Sequence, residues 1–306
     1  MIAICLSTYN GAQFLNEQLA SLESQDYASA DLKIIIRDDG SNDESYEILR
    51  QFAKNSSIPI ELLDEQMNLG IKKSFEFLMK KAIEMGAGYI MFCDQDDVWH
   101  PNKISKTMAM MQQMEISTPN QPILIHSDVS VMDRDLALLH PSFWKYQKIN
   151  PNQNELHNFI INNTVTGCTM MINRALALKV SDIPSEAIMH DWWIAMVAST
   201  FGRIGYIDES LMLYRQHSTN DTGAKRYGLS YWLNRFMQKP SFDKYILQAR
   251  IFLEHYRDQL TFEHIEMLEA VSRLDKMNWF ERRKTLIKYK IFKHGFVRNI
   301  GLMVFA

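Results

Sequence analysis

The sequence has few cysteines and no strong excess of charge of either sign. Its 306 residues include three cysteines, Cys5, Cys93 and Cys168, which form no CxxC pair. Neither a disulfide framework nor a structural zinc site is therefore expected. The net charge of -3 argues against a nucleic-acid-binding protein, because such proteins carry a basic surface. Hydrophobic residues at 46% and charged residues at 23% exclude a disordered or fibrous chain.

Long apolar runs are also absent. No stretch reaches the roughly 18 apolar residues that a membrane-spanning helix needs. The first apolar run, Ile2–Leu6, lacks the basic flank and the cleavage site of a signal peptide and is typical of a strand. We therefore expect a cytoplasmic protein.

The first 130 residues alternate between strand-like and helix-like segments. The strand-like segments are continuous apolar runs, as expected for strands buried on both faces. They are Ile2–Leu6, Leu32–Ile36, Ile58–Leu63, Tyr89–Cys93 and Ile123–Ile125. Because amphipathic segments of helical period separate them, we predict an α/β fold with a doubly wound, mostly parallel sheet. Ligands of such sheets bind beyond the carboxyl ends of the strands.

The rest of the chain is less regular. Strand-like segments at Thr164–Ile172 and Arg203–Tyr214 flank a helix-like segment at Trp192–Phe201, and residues 228–294 look helical with a break at Pro240. We predict one domain over 1–227 and a C-terminal helical region over 228–306. Within the first, we expect a nucleotide-sugar-binding half over 1–130 and an acceptor-side half over 131–227.

The most informative motif is the acidic run Asp94-Gln95-Asp96-Asp97, directly after a buried strand. Three carboxylates there repel one another unless a cation compensates them. Oxygen ligands favour Mg²⁺ or Mn²⁺, which usually also hold phosphate oxygens. The alternative is a helix N-cap before Pro101, but a cap needs only one carboxylate. The run therefore predicts a site for a metal ion and a diphosphate.

Polar segments follow two other strands. Ser7–Gly11 could form the floor of a nucleotide pocket, and a carboxylate within Arg37–Ser41 could accept from a base N–H or a ribose hydroxyl. The second segment also fits a tight turn, since Asp-Gly-Ser is common turn chemistry. Neither GxGxxG nor GxxxxGK[ST] occurs, so a Rossmann dinucleotide site and a P-loop are not supported.

The segment His190-Asp191-Trp192-Trp193 begins an apolar helix-like stretch. An Asp beside aromatic residues can have a raised pKa and act as a general base. The tryptophans could stack on the apolar face of a sugar. The alternative is a capping Asp followed by core tryptophans.

A second late motif is Tyr214-Arg215-Gln216-His217. Arg215 could clamp a diphosphate and His217 could be a third metal ligand, although a lone histidine is often a surface residue. The loop that follows, 218–225, could close over a substrate.

Basic residues are concentrated near the C-terminal end. Residues 276–298 contain a single acidic residue, Glu281, and interleaved apolar residues. The basic residues are Lys276, Arg282, Arg283, Lys284, Lys288, Lys290, Lys293 and Arg298. This composition suits peripheral contact with an anionic membrane; the alternative is a solvated helix face packed on the domain. The helical region could also pair with a second copy of the chain.

Taken together, the motifs resemble glycosyltransferase family 2 proteins with a GT-A fold. The resemblance covers about 1–225 and depends on the order and spacing of the motifs. They are STYNG (7–11), RDDGSND (37–43), NLG (68–70), CDQDDVW (93–99), SD (127–128), TVTGCTMM (164–171), MHDWW (189–193) and YRQH (214–217). The combination looks most like the bacterial rhamnosyltransferase branch, which builds surface polysaccharides from dTDP-L-rhamnose.

The resemblance implies which residues bind the nucleotide sugar. Ser7 and Tyr9 would line the base pocket, and Asp39 would accept the N3–H of the base. Lys72 or Lys73, which follow the NLG motif, would approach the diphosphate.

It also implies the residues of metal binding and catalysis. Asp96 would be the principal metal ligand of a DxD motif, and Asp94 would touch the ribose or the metal. His217 would be a further metal ligand and Arg215 a phosphate contact. Asp191 would be the catalytic base.

The resulting prediction is a metal-dependent inverting glycosyltransferase that uses Mn²⁺ or Mg²⁺. It would move L-rhamnose from dTDP-L-rhamnose to a growing, lipid-linked surface polysaccharide at the inner face of the plasma membrane. Inversion follows from one base and direct displacement.

Three alternatives stay open. They are the same fold with a UDP-hexose donor, a non-catalytic binder of nucleotide sugars or polysaccharides, and a Mg²⁺-dependent phosphatase. The phosphatase is disfavoured because Ser7-Thr8-Tyr9 offers no Asp nucleophile after the first strand.

Overall fold

A computed structural model describes residues 1–27, 31–64, 67–217 and 242–305. The predicted closing loop at 218–225 and the predicted domain boundary at 227/228 lie outside these residues.

The first half of the chain is a parallel sheet with helical crossovers. In chain order its elements are β1 (Ile2–Thr8), α1 (Ala12–Glu23), β2 (Leu32–Asp38), α2 (Ser45–Asn55), β3 (Ile60–Leu63), α3 (Ile71–Glu84) and β4 (Tyr89–Cys93). The strands lie in the order β3-β2-β1-β4, and every pair among them is parallel. Their carboxyl ends therefore meet at one edge, as the apolar runs predicted.

The second half extends the same sheet. Its elements are β5 (Val98–Trp99), α4 (Lys103–Ser117), β6 (Ile123–Met132), β7 (Leu138–His140), α5 (Phe143–Gln147), α6 (Leu156–Phe159), β8 (Met171–Asn173), α7 (Arg174–Val180), α8 (His190–Phe201) and β9 (Arg203–Arg215). The order continues as β4-β8-β6-β9-β5, with β8 antiparallel to both of its neighbours and β6 parallel to β9. This large, mostly parallel sheet confirms the predicted fold class.

One predicted strand is mostly irregular. The segment Thr164–Ile172 contains a 3₁₀ turn at Gly167–Thr169, and β8 begins only at Met171. The backbone N–H of Gly167 donates to the carboxylate of Asp191 (3.1 Å) rather than to a neighbouring strand. The apolar pattern of this segment is typical of a strand. The Gly167 N–H bonds to the Asp191 side chain of α8, however, and is therefore not available for pairing with a strand.

The C-terminal helices share a hydrophobic core with the sheet. They are α9 (Asp243–Tyr256), α10 (Phe262–Val271), α11 (Trp279–Lys288) and α12 (Phe296–Phe305). The ring of Trp193 on α8 lies 5.3 Å from that of Phe252, and a continuous core joins the two regions. Among the described residues, no helix is both long enough and apolar enough to cross a bilayer. The division into a domain and a helical region stays a prediction.

Gly202 lies where α8 turns back into β9, and it has no room for a side chain. A Cβ there would lie 2.0 Å from the carbonyl oxygen of Pro122. Since backbone must then shift, we expect Gly202→Ala to lower the free energy of unfolding by about 2–3 kcal/mol, measured by urea denaturation.

The matched control is Gly301→Ala in α12, where no atom lies within 4 Å of the added Cβ. Because alanine favours helix, this variant should keep or gain about 0.5–1 kcal/mol. Equal unfolding midpoints for the two variants would contradict the close approach at Pro122.

Candidate active site

A cavity of about 540 Å³ opens at the carboxyl ends of β1 and β4. This volume is within the usual range for small-molecule sites. The described residues that line it are Ser7, Thr8, Tyr9, Asn10, Asp39, Asn68, Gly70, Ile71, Phe75, Asp94, Gln95, Asp96, Tyr214 and His217. The structure therefore brings together six of the residues that the sequence singled out: Ser7, Tyr9, Asp39, Asp94, Asp96 and His217.

Gln95 joins the turn after β1 to the acidic run. Its Oε1 accepts hydrogen bonds from the Thr8 hydroxyl (2.6 Å) and the Tyr9 N–H (2.8 Å). A Cβ on Gly11 would lie 2.2 Å from the same oxygen, so only glycine leaves room for this contact. The side-chain amide of Gln95 therefore holds the turn after β1 against the acidic run.

Asp39 shapes the pocket through the loop before α3. Its two oxygens accept from the N–H groups of Leu69 (2.8 Å) and Gly70 (2.9 Å), and the guanidinium of Arg37 pairs with it. Gly70 has a φ of 76°, which glycine adopts without strain. The turn interpretation also holds, because Asp38 accepts the N–H of Ser41 (2.9 Å).

Lys72 and Lys73 do not line the cavity. The Nζ of Lys72 donates to the carbonyl of Ala187 (2.7 Å), and that of Lys73 donates to the carbonyl of Ile183 (2.7 Å). Both lysines therefore tie α3 to the segment before α8. The prediction of a diphosphate contact is not supported, because the first turn of α3 directs Ile71 and Phe75 to the pocket instead.

The acidic run is not a helix cap. Helix α4 begins at Lys103 and its N-cap is Asn102. Burial raises the pKa of Asp94 to about 7, and the charges of Asp96 and Asp191 add to the rise. The pKa of Asp97 is raised well above its usual value, first by burial and then by its acidic neighbours. The cluster thus carries more negative charge than its surroundings compensate.

Lys103 is a buried cation beside this cluster. Lys103 is fully buried, its Nζ lies 3.9 Å from the centre of the Trp99 ring, and it donates to the carbonyl of Cys168. Burial lowers its pKa to about 8. Oδ2 of Asp97 is buried and has no hydrogen-bond partner among the described residues. Because the carboxylates raise one another's pKa, the acidic run fits a divalent ion such as Mg²⁺ or Mn²⁺.

His217 and Arg215 approach Asp96 in different ways. The Nε2 of His217 lies 2.6 Å from Oδ2 of Asp96, and its ring stacks on Phe14. Arg215 is buried, and its Nε donates to the backbone carbonyl of Asp96 (2.8 Å). Its guanidinium also pairs with Glu17. His217 is thus placed to share an ion with Asp96, whereas Arg215 positions the backbone of the acidic run and does not line the cavity.

A second grouping of ligand atoms lies deeper. Oxygens of Asp94 and Asp97 and the sulfur of Cys168 lie within 4.8 Å of one another. Burial raises the pKa of the Cys168 thiol well above its usual value, and a protonated thiol is a poor metal ligand. The three ligand atoms that the described residues bring within 4.8 Å are thus those of this deeper grouping, and the set Asp94, Asp96 and His217 stays a prediction.

Asp191 lies in the first turn of α8. Its oxygens accept from the N–H groups of Gly167 (3.1 Å) and Trp192 (2.6 Å). Burial raises its pKa to about 7, although these two hydrogen bonds lower it. Because its charge raises the pKa of Asp94, the two carboxylates are electrostatic neighbours.

The tryptophans after Asp191 belong to the core. The indole N–H of Trp192 donates to the carbonyl of Phe159 (2.6 Å), and Trp193 is fully buried against α9. Neither is among the lining residues, so sugar stacking is not supported. The alternative thus holds for the two core tryptophans but not for Asp191, because the N-cap of α8 is Met189.

Sequence reasoning missed several residues of the site. Gln95 lies inside the acidic run, so its position in the sequence already indicated that it is close to the site. Phe75 lies between two predicted strands, where an apolar residue does not distinguish a site residue from a core residue. Lys103 carries no signal, because a lysine at a helix start is normally exposed. Asn68 lies in the NLG motif, which was noted without a role.

The sheet topology and the carboxylate-lined pocket define an α/β transferase of the GT-A class. The model of "Glycosyl transferase family 2" matches residues 3–178, more than half of the chain. The chain therefore belongs to this family and is a glycosyltransferase.

Relatives and solved structures agree with this assignment. "dTDP-rhamnosyl transferase RfbG" of Shigella flexneri is 26% identical over 72% of this chain and 74% of its own. The chain spans 59% of the length of its mycobacterial relatives. Staphylococcus aureus TarS in complex with UDP-GlcNAc has a TM-score of 0.59 at 14% identity, covering 94% of this chain and 80% of its own. Mannosyltransferase PcManGT of Pyrobaculum calidifontis, with GDP-Man and Mn²⁺, has a TM-score of 0.54 at 14% identity, covering 99% and 78%.

Proposed function

We propose that the chain is a metal-dependent, inverting rhamnosyltransferase. Its donor is dTDP-L-rhamnose, and its acceptor is a growing lipid-linked surface polysaccharide at the inner face of the plasma membrane. The observation that carries the proposal is the placement of Asp94 and Asp96, with His217 against Asp96, in a nucleotide-sized pocket whose acidic cluster has Asp191 as a neighbour.

Each group then has a chemical task. Ser7, Tyr9 and Asp39, which line the pocket, would bind the base. Asp94, Asp96 and His217 would hold Mn²⁺ or Mg²⁺, which when bound stabilises negative charge on the leaving diphosphate.

Asp191 removes the proton from the acceptor hydroxyl as that oxygen attacks the anomeric carbon. The bond to the diphosphate breaks on the opposite face of the sugar. A β-L donor therefore gives an α-L-rhamnoside.

Two donors are supported by different comparisons. The similarity to RfbG favours dTDP-L-rhamnose, whereas the fold shared with TarS in complex with UDP-GlcNAc keeps a UDP-sugar as the alternative. The test is nucleotide release from dTDP-L-rhamnose and from UDP-glucose, UDP-galactose and UDP-N-acetylglucosamine, each with Mn²⁺, Mg²⁺ or EDTA.

Metal-dependent release of dTDP alone would support rhamnose, and release of UDP would replace it with a hexose. An absence of release, together with no calorimetric binding of any donor, would contradict the proposed nucleotide-sugar site. A product with retained anomeric configuration would contradict the single-displacement mechanism.

The pH dependence of the reaction follows from Asp191. A base must be deprotonated to accept a proton, and burial raises the pKa of this carboxyl to about 7. We therefore expect kcat/KM to fall about tenfold per unit as pH decreases below about 7 and to level off above it. The measurement is a rate profile between about pH 5 and pH 9 at saturating metal; a flat profile across this range would exclude a base with a raised pKa.

A further inference from the structure

Helix α12 presents an apolar face to solvent. Phe296, Val297, Ile300 and Val304 are spaced as i, i+1, i+4 and i+8, which places them on one side of a helix. All four are exposed, and Phe296 retains 81% of its accessible surface. The opposite side is anchored by the buried Leu302. A whole exposed helix face without a polar residue is the signature of an interaction surface.

Helix α11 is hydrogen-bonded to α12 and carries exposed aromatic side chains of its own. Arg283 donates to the carbonyls of Met303 (2.7 Å) and Val304 (2.9 Å), which joins the start of α11 to the end of α12. The indole N–H of Trp279 also approaches Val304 (3.4 Å), and Phe280 beside it is 78% exposed. The two helices therefore form one structural unit, here called the α11–α12 hairpin.

The charge of the hairpin is mostly positive, and one of its lysines, Lys288, is paired with Glu266 of α10 (2.8 Å). Lys276, Lys284 and Lys290 are exposed, and Glu281 is the single acidic residue between 276 and 305. Its carboxylate accepts the N–H of Asn278 (2.9 Å) and so caps α11. This basic surface belongs to a chain whose net charge is -3, so it is a local feature of these helices.

The sign of the charge selects the occupant. A second copy docked through the same face would bring like charges together, which disfavours a symmetric contact. An anionic lipid surface takes up the apolar face and attracts the lysines at the same time.

The hairpin is also connected to the acceptor side of the active site. The side-chain amide of Asn162 donates to the carbonyl of Phe292, between α11 and α12 (2.7 Å). The next residue, Asn163, hydrogen-bonds to the carboxylate of Asp191. The consecutive residues Asn162 and Asn163 therefore connect the α11–α12 hairpin to Asp191.

We infer that the α11–α12 hairpin is the surface by which this protein lies on an anionic lipid membrane. Phe280, Phe296 and Ile300 enter the interface, while Lys284 and Lys290 face the lipid headgroups. This extends the sequence-predicted contact at 276–298 to the end of α12. It deepens the proposed function, because a membrane-bound acceptor would reach Asp191 from this side.

The test is co-sedimentation of the full chain with phosphatidylglycerol–phosphatidylcholine vesicles and with pure phosphatidylcholine vesicles. Neither donor nor acceptor is present, so the result is independent of the reaction and of its donor. We expect binding to the anionic vesicles that weakens with added salt. Phe296→Ser combined with Ile300→Ser should lower the partition coefficient by about tenfold or more. Lys284→Ser combined with Lys290→Ser should lower it by about fivefold per charge.

The matched control is Ile116→Ser, which removes an equally exposed apolar side chain (82%) from α4 and should leave vesicle binding unchanged. As a second readout, brominated lipid should quench the fluorescence of the half-exposed Trp279, and Trp279→Phe should remove that quenching. The inference is overturned if anionic vesicles do not bind the chain, or if the Phe296 and Ile300 variant binds as tightly as the control. Self-association that this variant abolishes, without vesicle binding, would assign the surface to a second copy.

Discussion

Replacing Asp191 by Asn should lower kcat by about 10³-fold, because the amide keeps the shape of the side chain but cannot accept a proton. Its oxygen can still accept one of the two bonds that the carboxylate receives from the N–H groups of Gly167 and Trp192. Donor affinity should change little, since Asp191 is not among the described residues that line the pocket. The measurement is transfer under single-turnover conditions, together with calorimetric titration of the donor.

The matched control is Asp258→Asn, an exposed carboxyl in the C-terminal region, which should transfer at the wild-type rate. Thermal unfolding of both variants separates loss of chemistry from loss of fold. Wild-type turnover in Asp191→Asn would remove this residue as the base. The residual rate of the variant should also fall less steeply below about pH 7, because Asp191 no longer titrates there while Asp94, whose pKa is also raised to about 7, still does.

Replacing Asp96 by Asn should abolish the dependence of donor binding on metal and lower turnover by at least about 100-fold. Asp96 lines the pocket, and its carboxylate lies 2.6 Å from Nε2 of His217. The amide removes the negative charge that a divalent cation needs and leaves the size of the side chain unchanged. Calorimetric titration of the donor with Mn²⁺ and with EDTA should give two affinities for the wild type and a single one for the variant.

Cys168→Ser is the comparison for this experiment, because it removes the sulfur from the deeper grouping of Asp94, Asp97 and Cys168. If Asp96 and His217 hold the ion, this variant keeps its response to Mn²⁺. Loss of the response in Cys168→Ser with retention in Asp96→Asn would place the ion in the deeper grouping. That grouping would also prefer softer metals such as Zn²⁺.

The acidic run shows how much of the site could be predicted from the sequence. Carboxylates that follow a buried parallel strand must lie at the edge where ligands bind, so Asp94 and Asp96 were found without coordinates. The same argument located Ser7, Tyr9 and Asp39. All five positions were predicted from where a strand ends. The ends of the strands can be read from the sequence, because each strand is a short apolar run.

Residues with long side chains could not be placed in the same way. Lys72 bonds to carbonyls more than a hundred positions away, at Ser185 and Ala187, and Arg215 bonds to the backbone of Asp96. A local pattern does not say which distant carbonyl lies within reach of a charged group. Lys72 was assigned to a diphosphate because it follows the NLG motif, and Arg215 because it lies in the YRQH motif, whereas packing directs both side chains into the protein.

The sequence alone therefore determined the alternation of strands and helices, the family and the carboxylates at the strand ends. Each of these depends on residue type and short-range spacing. The tertiary structure decided that Trp192 and Trp193 belong to the core, that Lys103 is a buried cation beside the acidic cluster, and that Thr164–Ile172 contains a turn whose Gly167 N–H donates to Asp191. The physical reason is that burial and hydrogen bonding join groups far apart in the chain, and a group finds its partner only once the sheet and its helices have packed.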